Sequence, residues 1–105
     1  FICAHNISHI LAEFLEARLR LLNFDASLIN LDDLQDTENT LEQLTPEDLV
    51  IFIAFPKYYY PLGSIAKNAF SRGSTILTIT DSMSSPTVQY SKHMLTPPPG
   101  SFIIP

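Results

Sequence analysis

Apolar residues fall in blocks whose spacing switches between two periods. Phe1-Ile2-Cys3-Ala4 is a short unbroken run and predicts a first strand. Ile7, Ile10, Leu11, Phe14, Leu15, Arg18 and Leu22 then recur three and four apart, which puts them on one face of a helix. Ser8, His9, Glu13, Glu16, Arg20 and Asn23 take the other face. Glu16 and Arg20 have the spacing of a weak helical ion pair, and Asn23 is a plausible C-terminal stop. Ala26 to Ile29 predicts a second short strand. Asp32 to Leu44 is acidic and polar, and reads as a loop with one or two helical turns in which Thr40 and Gln43 resemble a capping box.

Leu49-Val50-Ile51-Phe52-Ile53 has no polar alternation, as in a strand buried on both faces of a parallel sheet. Pro61 suits a first helical position, and Leu62, Ile65, Ala66, Ala69 and Phe70 make one face of a helix that Gly73 closes. Thr75 to Thr80 is a further strand. Asp81 to Ser85 reads as a turn, Pro86 as the opening of a short helix capped by Ser85, and His93-Met94-Leu95 as a last strand. Three consecutive prolines within Thr96 to Gly100 make a break.

The order is βαβαβαβαβ. Alternation with short links predicts an α/β fold: a three-layer αβα arrangement with a doubly wound, parallel, five-stranded sheet of flavodoxin-like type. The 105 residues make a single domain, 1–105. The apolar start at Phe1 and the apolar finish at Ser101 to Pro105 lead us to expect a fragment, with structure lost on both sides.

Composition narrows the function. An apolar content of 46% supports one packed core and argues against disorder. The formal net charge of −5 and the absence of a basic cluster make this chain by itself a poor nucleic-acid binder. The single cysteine, Cys3, allows no internal disulfide, which fits a cytoplasmic location. No apolar run approaches the roughly 18 residues of a membrane span, so no membrane role is expected.

In such a sheet the loops that follow the strands gather at one edge. Three are candidates: Ala4 to Ser8, Phe55 to Tyr60, and Asp81 to Ser85. In a strand order such as 2-1-3-4-5 the first two flank the switch point, where a crevice opens. Each leads towards a helix N-terminus, whose free N–H groups favour an anion, and Lys57 adds a full positive charge. A small molecule bearing a phosphate is the natural ligand. Plainer roles are open as well: Ser8 and Ser85 as helix caps, Lys57 as a solvated surface lysine, and Tyr58, Tyr59 and Tyr60 as packing or interface residues. His5, His9 and His93 lack metal-ligand spacing, and Cys3 reads as inert packing, so neither a metal nor a cofactor is expected.

Residues Asp48 to Leu95 resemble the sugar isomerase (SIS) domain, in the version carried by RpiR-type bacterial transcription regulators. Glu47-Asp48-Leu49-Val50-Ile51 leads into the family's strand. Ala69 to Gly73, the run Ser74 to Asp81, and Ser85-Pro86 follow its signature, with His93-Met94-Leu95 after it. Ser8 and Ala12 fall where the family has Ser and Ala in its first helix. Two segments depart. The family's first loop carries glycines, where this chain has Ala4-His5-Asn6-Ile7. Its serine-rich phosphate loop is replaced by Ala54 to Tyr60, in which Phe55-Pro56-Lys57-Tyr58 is similar to a known variant with Lys for Arg.

The resemblance implies a domain that often dimerises and takes a sugar phosphate as effector. It also implies a helix-turn-helix domain before Phe1 that handles DNA. Because Asp81 alone of the acidic residues falls in the three candidate loops, a sensor that is not an enzyme is expected. The expected ligand-binding residues are Asn6, Ser8, Phe55, Lys57, Tyr58, Ser82 and Ser85. The rival readings are a sugar-phosphate isomerase-type enzyme and a degenerate domain kept for dimerisation.

Overall fold

A computed structural model describes residues 1–5, 7–55, 59–81 and 85–96, with the backbone alone at 7 and 8. Four strands run in parallel in the order β1 (Ile2–Ala4), β2 (Leu49–Ala54), β3 (Thr75–Thr80) and β4 (His93–Leu95). Their register pairs Ala4 with Ile53, Ala54 with Thr80, and Ile79 with Leu95. All four C-terminal ends therefore lie along one edge, as a parallel sheet requires.

The α/β fold holds, with one strand fewer than expected among the described residues. The segment Ala26 to Ile29 contributes only a bridge, between Leu28 and Ile2. Two hydrogen bonds hold it, from the Ile2 amide to the Ser27 carbonyl at 2.8 Å and from the Ile29 amide to the Ile2 carbonyl at 2.9 Å. The Leu28 amide instead donates to the Glu16 carboxylate at 3.0 Å. A side chain from the neighbouring helix thus takes the donor of the residue that makes the bridge. The spatial sequence, Leu28 bridge, β1, β2, β3, β4, still places the order reversal between β1 and β2.

Helix α1 (Ile7–Leu21) covers one face of the sheet, and α2 (Leu34–Gln43) and α3 (Pro61–Ser71) cover the other. On the α1 side Ile2, Ala4, Ala12, Ile51 and Ile53 pack together. On the α2 and α3 side the core is built on Cys3, Val50, Phe52, Leu62, Ala66 and Ile76. Strand β2 is buried on both faces from Val50 to Ala54, as its unbroken apolar run predicts. Asn23 at φ 66° and Gly73 at φ 82° end the helices that precede them, as expected.

Three local expectations are corrected. First, of the described side chains on the expected face, α1 turns only Leu11 and Leu15 inward, and it adds Ala12 and Leu19. Leu11, Ala12, Leu15 and Leu19 face the sheet, while Ile10, Phe14, Arg18 and Leu22 are exposed. The helix is apolar on two sides, so spacing alone did not select the inner one, and Arg18 lies over the outward Phe14 ring at 5.1 Å.

Second, Asp32 to Leu44 holds a helix of 10 residues rather than one or two turns. Asp33 caps it by accepting from the Asp36 amide at 3.1 Å, and Thr37 and Leu41 are its buried residues. The acidic composition hid an inward stripe of Thr37 and Leu41 that continues at Leu44.

Third, Pro86 opens no α-helix. A single 3-10 turn follows at Val88–Tyr90, with Thr87 before it and no side-chain cap.

Candidate functional site

The switch point defines where to look. The loops leaving β1 and β2 diverge there, because α1 carries the chain to one side of β1 and α2 returns it to the other. The structure joins these loops by a ring pair. His5, one residue beyond β1, stacks on Tyr59, two residues before α3, with centroids 3.8 Å apart and planes 9° apart. Neither was among the expected ligand-binding residues. The sequence offered His5 only as a histidine without metal spacing, and Tyr59 as one of three adjacent tyrosines.

His5 also lines a cavity of about 210 Å³ with Ala4, His9, Asn30, Leu31 and Asp32. The cavity lies on the other side of β1, between the first turns of α1 and the segment after the Leu28 bridge. Its polar wall is two imidazoles, an amide and a carboxylate. His9 Nε2 lies 3.0 Å from Glu13 Oε1, and the Asn30 side chain accepts from the Asp32 amide at 3.1 Å. Among the described residues, no group of three His, Cys, Asp or Glu is placed to hold a metal ion.

The start of α3 differs from what an anion cradle needs. The Leu62 amide donates to the Tyr59 carbonyl at 3.0 Å, and the Gly63 amide to the Tyr60 carbonyl at 2.9 Å. Pro61 has no N–H. These first-turn donors, expected to be free, are occupied by the preceding turn. An anion at this end therefore depends on side chains more than on backbone amides.

The third loop closes the edge beyond β3. Alternation along β3 turns Ile76, Thr78 and Thr80 to the α3 side, and all three are fully buried. Thr78 Oγ1 lies 2.7 Å from Thr87 Oγ1 and also bonds the Ser91 hydroxyl, which donates to the Thr87 carbonyl at 2.9 Å. These bonds tie the Val88–Tyr90 turn to the sheet. Thr80 Oγ1 and Ser85 Oγ are buried as well, but neither has a hydrogen-bond partner among the described residues. Ser85 therefore caps nothing through its side chain.

Of the expected site residues, Phe55 is half-buried and packs against the α1-side core, and Ser85 lies beyond β3. Ser8 belongs to the first turn of α1. Asn6, Lys57, Tyr58 and Ser82 lie outside the described residues.

A larger cavity, about 440 Å³, opens at the opposite edge of the sheet. Asp25, Glu47 and Asp48 line it beside Phe1, Phe24 and Leu49. Three carboxylates repel an anionic ligand, so size does not make this the better site for a phosphate.

Comparison with known proteins follows the same line. The family model of the SIS domain matches residues 1–102, and the chain belongs to that family. By fold it is similar to the sugar isomerase domain of an RpiR transcription factor from Sphaerobacter thermophilus, with a TM-score of 0.82 and 25% identity over 90% of this chain. A candidate sugar-phosphate isomerase from Listeria monocytogenes gives 0.73 and 21% over 87%. The Vibrio vulnificus NanR protein, solved in complex with ManNAc-6P, gives 0.68 and 20% over 90%. The last two likenesses show the fold alone. This chain spans 52%, 47% and 36% of those three chains, in that order. No curated protein matches the sequence.

Proposed function

We propose that this SIS domain is the ligand-sensing part of a transcription regulator of carbohydrate metabolism. In this reading it binds a phosphorylated sugar at the C-terminal edge of β1 to β3 and carries out no reaction. DNA is contacted through a separate domain, and the regulator is a cytoplasmic homodimer. The observation that carries the reading is the likeness to an RpiR transcription factor over nine-tenths of the chain. The NanR neighbour is solved with a sugar phosphate, which supports that ligand class. Lys57 supplies the positive charge in the loop after β2. With the Leu62 and Gly63 amides already bonded, that cation and the tyrosine hydroxyls carry the phosphate.

A regulator also needs two states that the ligand distinguishes, since equal affinity for both shifts nothing. Joined by the His5–Tyr59 stack, the loops after β1 and β2 move together or separate together, which gives the ligand an element to bias.

One observation favours an isomerase-type enzyme instead. His5, His9 and Asp32 share the walls of one cavity, and sugar isomerisation needs a positioned base. Thermal denaturation with a panel of sugar phosphates, free sugars and inorganic phosphate separates the two. A bound effector at about a hundred times its Kd stabilises the fold by about 2.7 kcal/mol. Lys57→Ala removes the phosphate-dependent part of that shift and leaves the unliganded fold intact. A panel without any shift rejects the sensor, and turnover of any sugar phosphate replaces it with the enzyme.

A further inference from the structure

The cavity at the N-terminal edge of the sheet has no part in the sugar-phosphate reading. Its volume of about 440 Å³ lies within the roughly 300–1,000 Å³ of small-molecule pockets. Its wall sets Phe1, Phe24 and Leu49 beside the carboxylates of Asp25, Glu47 and Asp48. Phe24 is 60% exposed and Leu49 43%, so large apolar side chains of this wall stand in water. Among the described residues no Lys, Arg or His side chain lines the cavity. Arg20 is engaged elsewhere, 3.8 Å from the Glu16 carboxylate and donating to the Ala26 carbonyl at 3.0 Å.

The amino group of Phe1 shows what this edge favours. It donates to the Leu49 carbonyl at 2.9 Å. Burial lowers its pKa, while attraction to Asp48 and Asp25 opposes that shift. Two of the three carboxylates therefore already stabilise a positive charge here.

We propose that this cavity binds a small organic cation with an apolar body, an arylalkyl amine by class. The ring packs against Phe1, Phe24 and Leu49, and the ammonium sits between Asp25 and Glu47. Asp48 is less free, since its carboxylate accepts from the Thr45 amide at 2.8 Å and the Thr45 hydroxyl at 3.2 Å. A neutral aromatic would meet the apolar wall and leave the carboxylates without a counter-charge, and an anion would be repelled. The site lies at the opposite end of the sheet from the switch point, so it stands or falls separately from the sugar-phosphate reading.

The test follows backbone amide resonances of the isotope-labelled chain during titration with phenethylamine, 2-phenylethanol and phenylacetate. These probes share a ring and differ in charge, and spermidine supplies charge without a ring. Phenethylamine gives saturable shifts at Phe24, Asp25, Glu47 and Leu49. It binds about fivefold more tightly than 2-phenylethanol, the effect of two exposed carboxylates, and more tightly than spermidine. Phenylacetate binds most weakly. Raising the ionic strength narrows the gap between the amine and the alcohol.

Asp25→Asn with Glu47→Gln removes the charges from two exposed side chains, so the unliganded Tm hardly moves. In that double variant phenethylamine binds no better than 2-phenylethanol. Equal affinity of the amine and the alcohol for wild type overturns the proposal, as does an amine advantage that survives the double variant. Spermidine binding as tightly as phenethylamine overturns it too, because attraction then needs no apolar wall. So does phenethylamine that gives no saturable shift at these positions.

Discussion

Cys3 lies inside β1 with its side chain in the α2 and α3 side core, and burial pushes its thiol up from 9.0 to about 12. Between those values the folded chain keeps a proton that the unfolded chain has lost. The group's contribution to stability is therefore whole below about pH 9 and declines as pH rises towards 12. Iodoacetamide at pH 8 should leave the native protein unlabelled and modify it once denaturant is added. Labelling of the folded protein at a comparable rate would show an open thiol.

The reading of Cys3 as inert packing came directly from its place in an apolar run. The His5–Tyr59 stack could not be read that way. Periodicity describes neighbours along the chain, and this contact joins two loops brought together only by pairing of β1 with β2. Tyr59→Ala should cost about 0.5–1.5 kcal/mol beyond the buried area lost, measurable by urea denaturation. A smaller cost would mean that the rings meet without holding the loops.

At the scale of elements, unbroken apolar runs and strong punctuation were the legible signals. Strand β2, the proline that opens α3 and the residues that close α1 and α3 all lie where the pattern puts them. Misreadings arose where one signal served two purposes. Helix α1 has apolar residues on opposite sides, and only the sheet determines which side is inner. Glu16 looked like half of a surface pair with Arg20. That contact exists at 3.8 Å, yet the carboxylate also takes the Leu28 amide, and Arg20 Nε donates to the Ala26 carbonyl at 3.0 Å.

Glu16→Ala should therefore destabilise by about 1–3 kcal/mol, well above an exposed pair, because it leaves a part-buried amide unbonded. Hydrogen exchange at Leu28 would accelerate in the same variant. Asp33→Ala removes the α2 cap and should cost about 0.5–2 kcal/mol. A cost near zero for Asp33→Ala would return that segment to the loop its composition suggested.

Across the whole molecule, parallel pairing gives the two ends of the sheet different side chains. The C-terminal edge collects His5, Phe55, Tyr59, Thr80 and Ser85, whereas the far edge collects Asp25, Glu47 and Asp48. Which edge to inspect was legible from the alternation of elements, since a parallel sheet leaves little choice. What the edge contains was legible only in part. Ser85 stood out as a residue type, as a cap by its position before Pro86 and as a ligand contact through the family resemblance. Thr80 was hidden as one more β-branched position in a strand, and burial without a partner is visible only in three dimensions.

The proposed homodimer belongs to this scale too. Its support is the family resemblance together with the exposed stripe Ile10, Phe14 and Leu21 on α1. If that stripe is the contact, sedimentation should give a dimer for wild type and a monomer for Phe14→Asp. An unchanged dimer would place the contact elsewhere.

The central claim is that a phosphorylated sugar binds at the C-terminal edge. Titrating the isotope-labelled protein with the sugar phosphates and following backbone amide resonances tests it most directly. Saturable shifts are predicted at His5, Phe55, Tyr59, Asp81 and Ser85. Shifts confined to Asp25, Glu47 and Asp48, or none with any sugar phosphate, would contradict it.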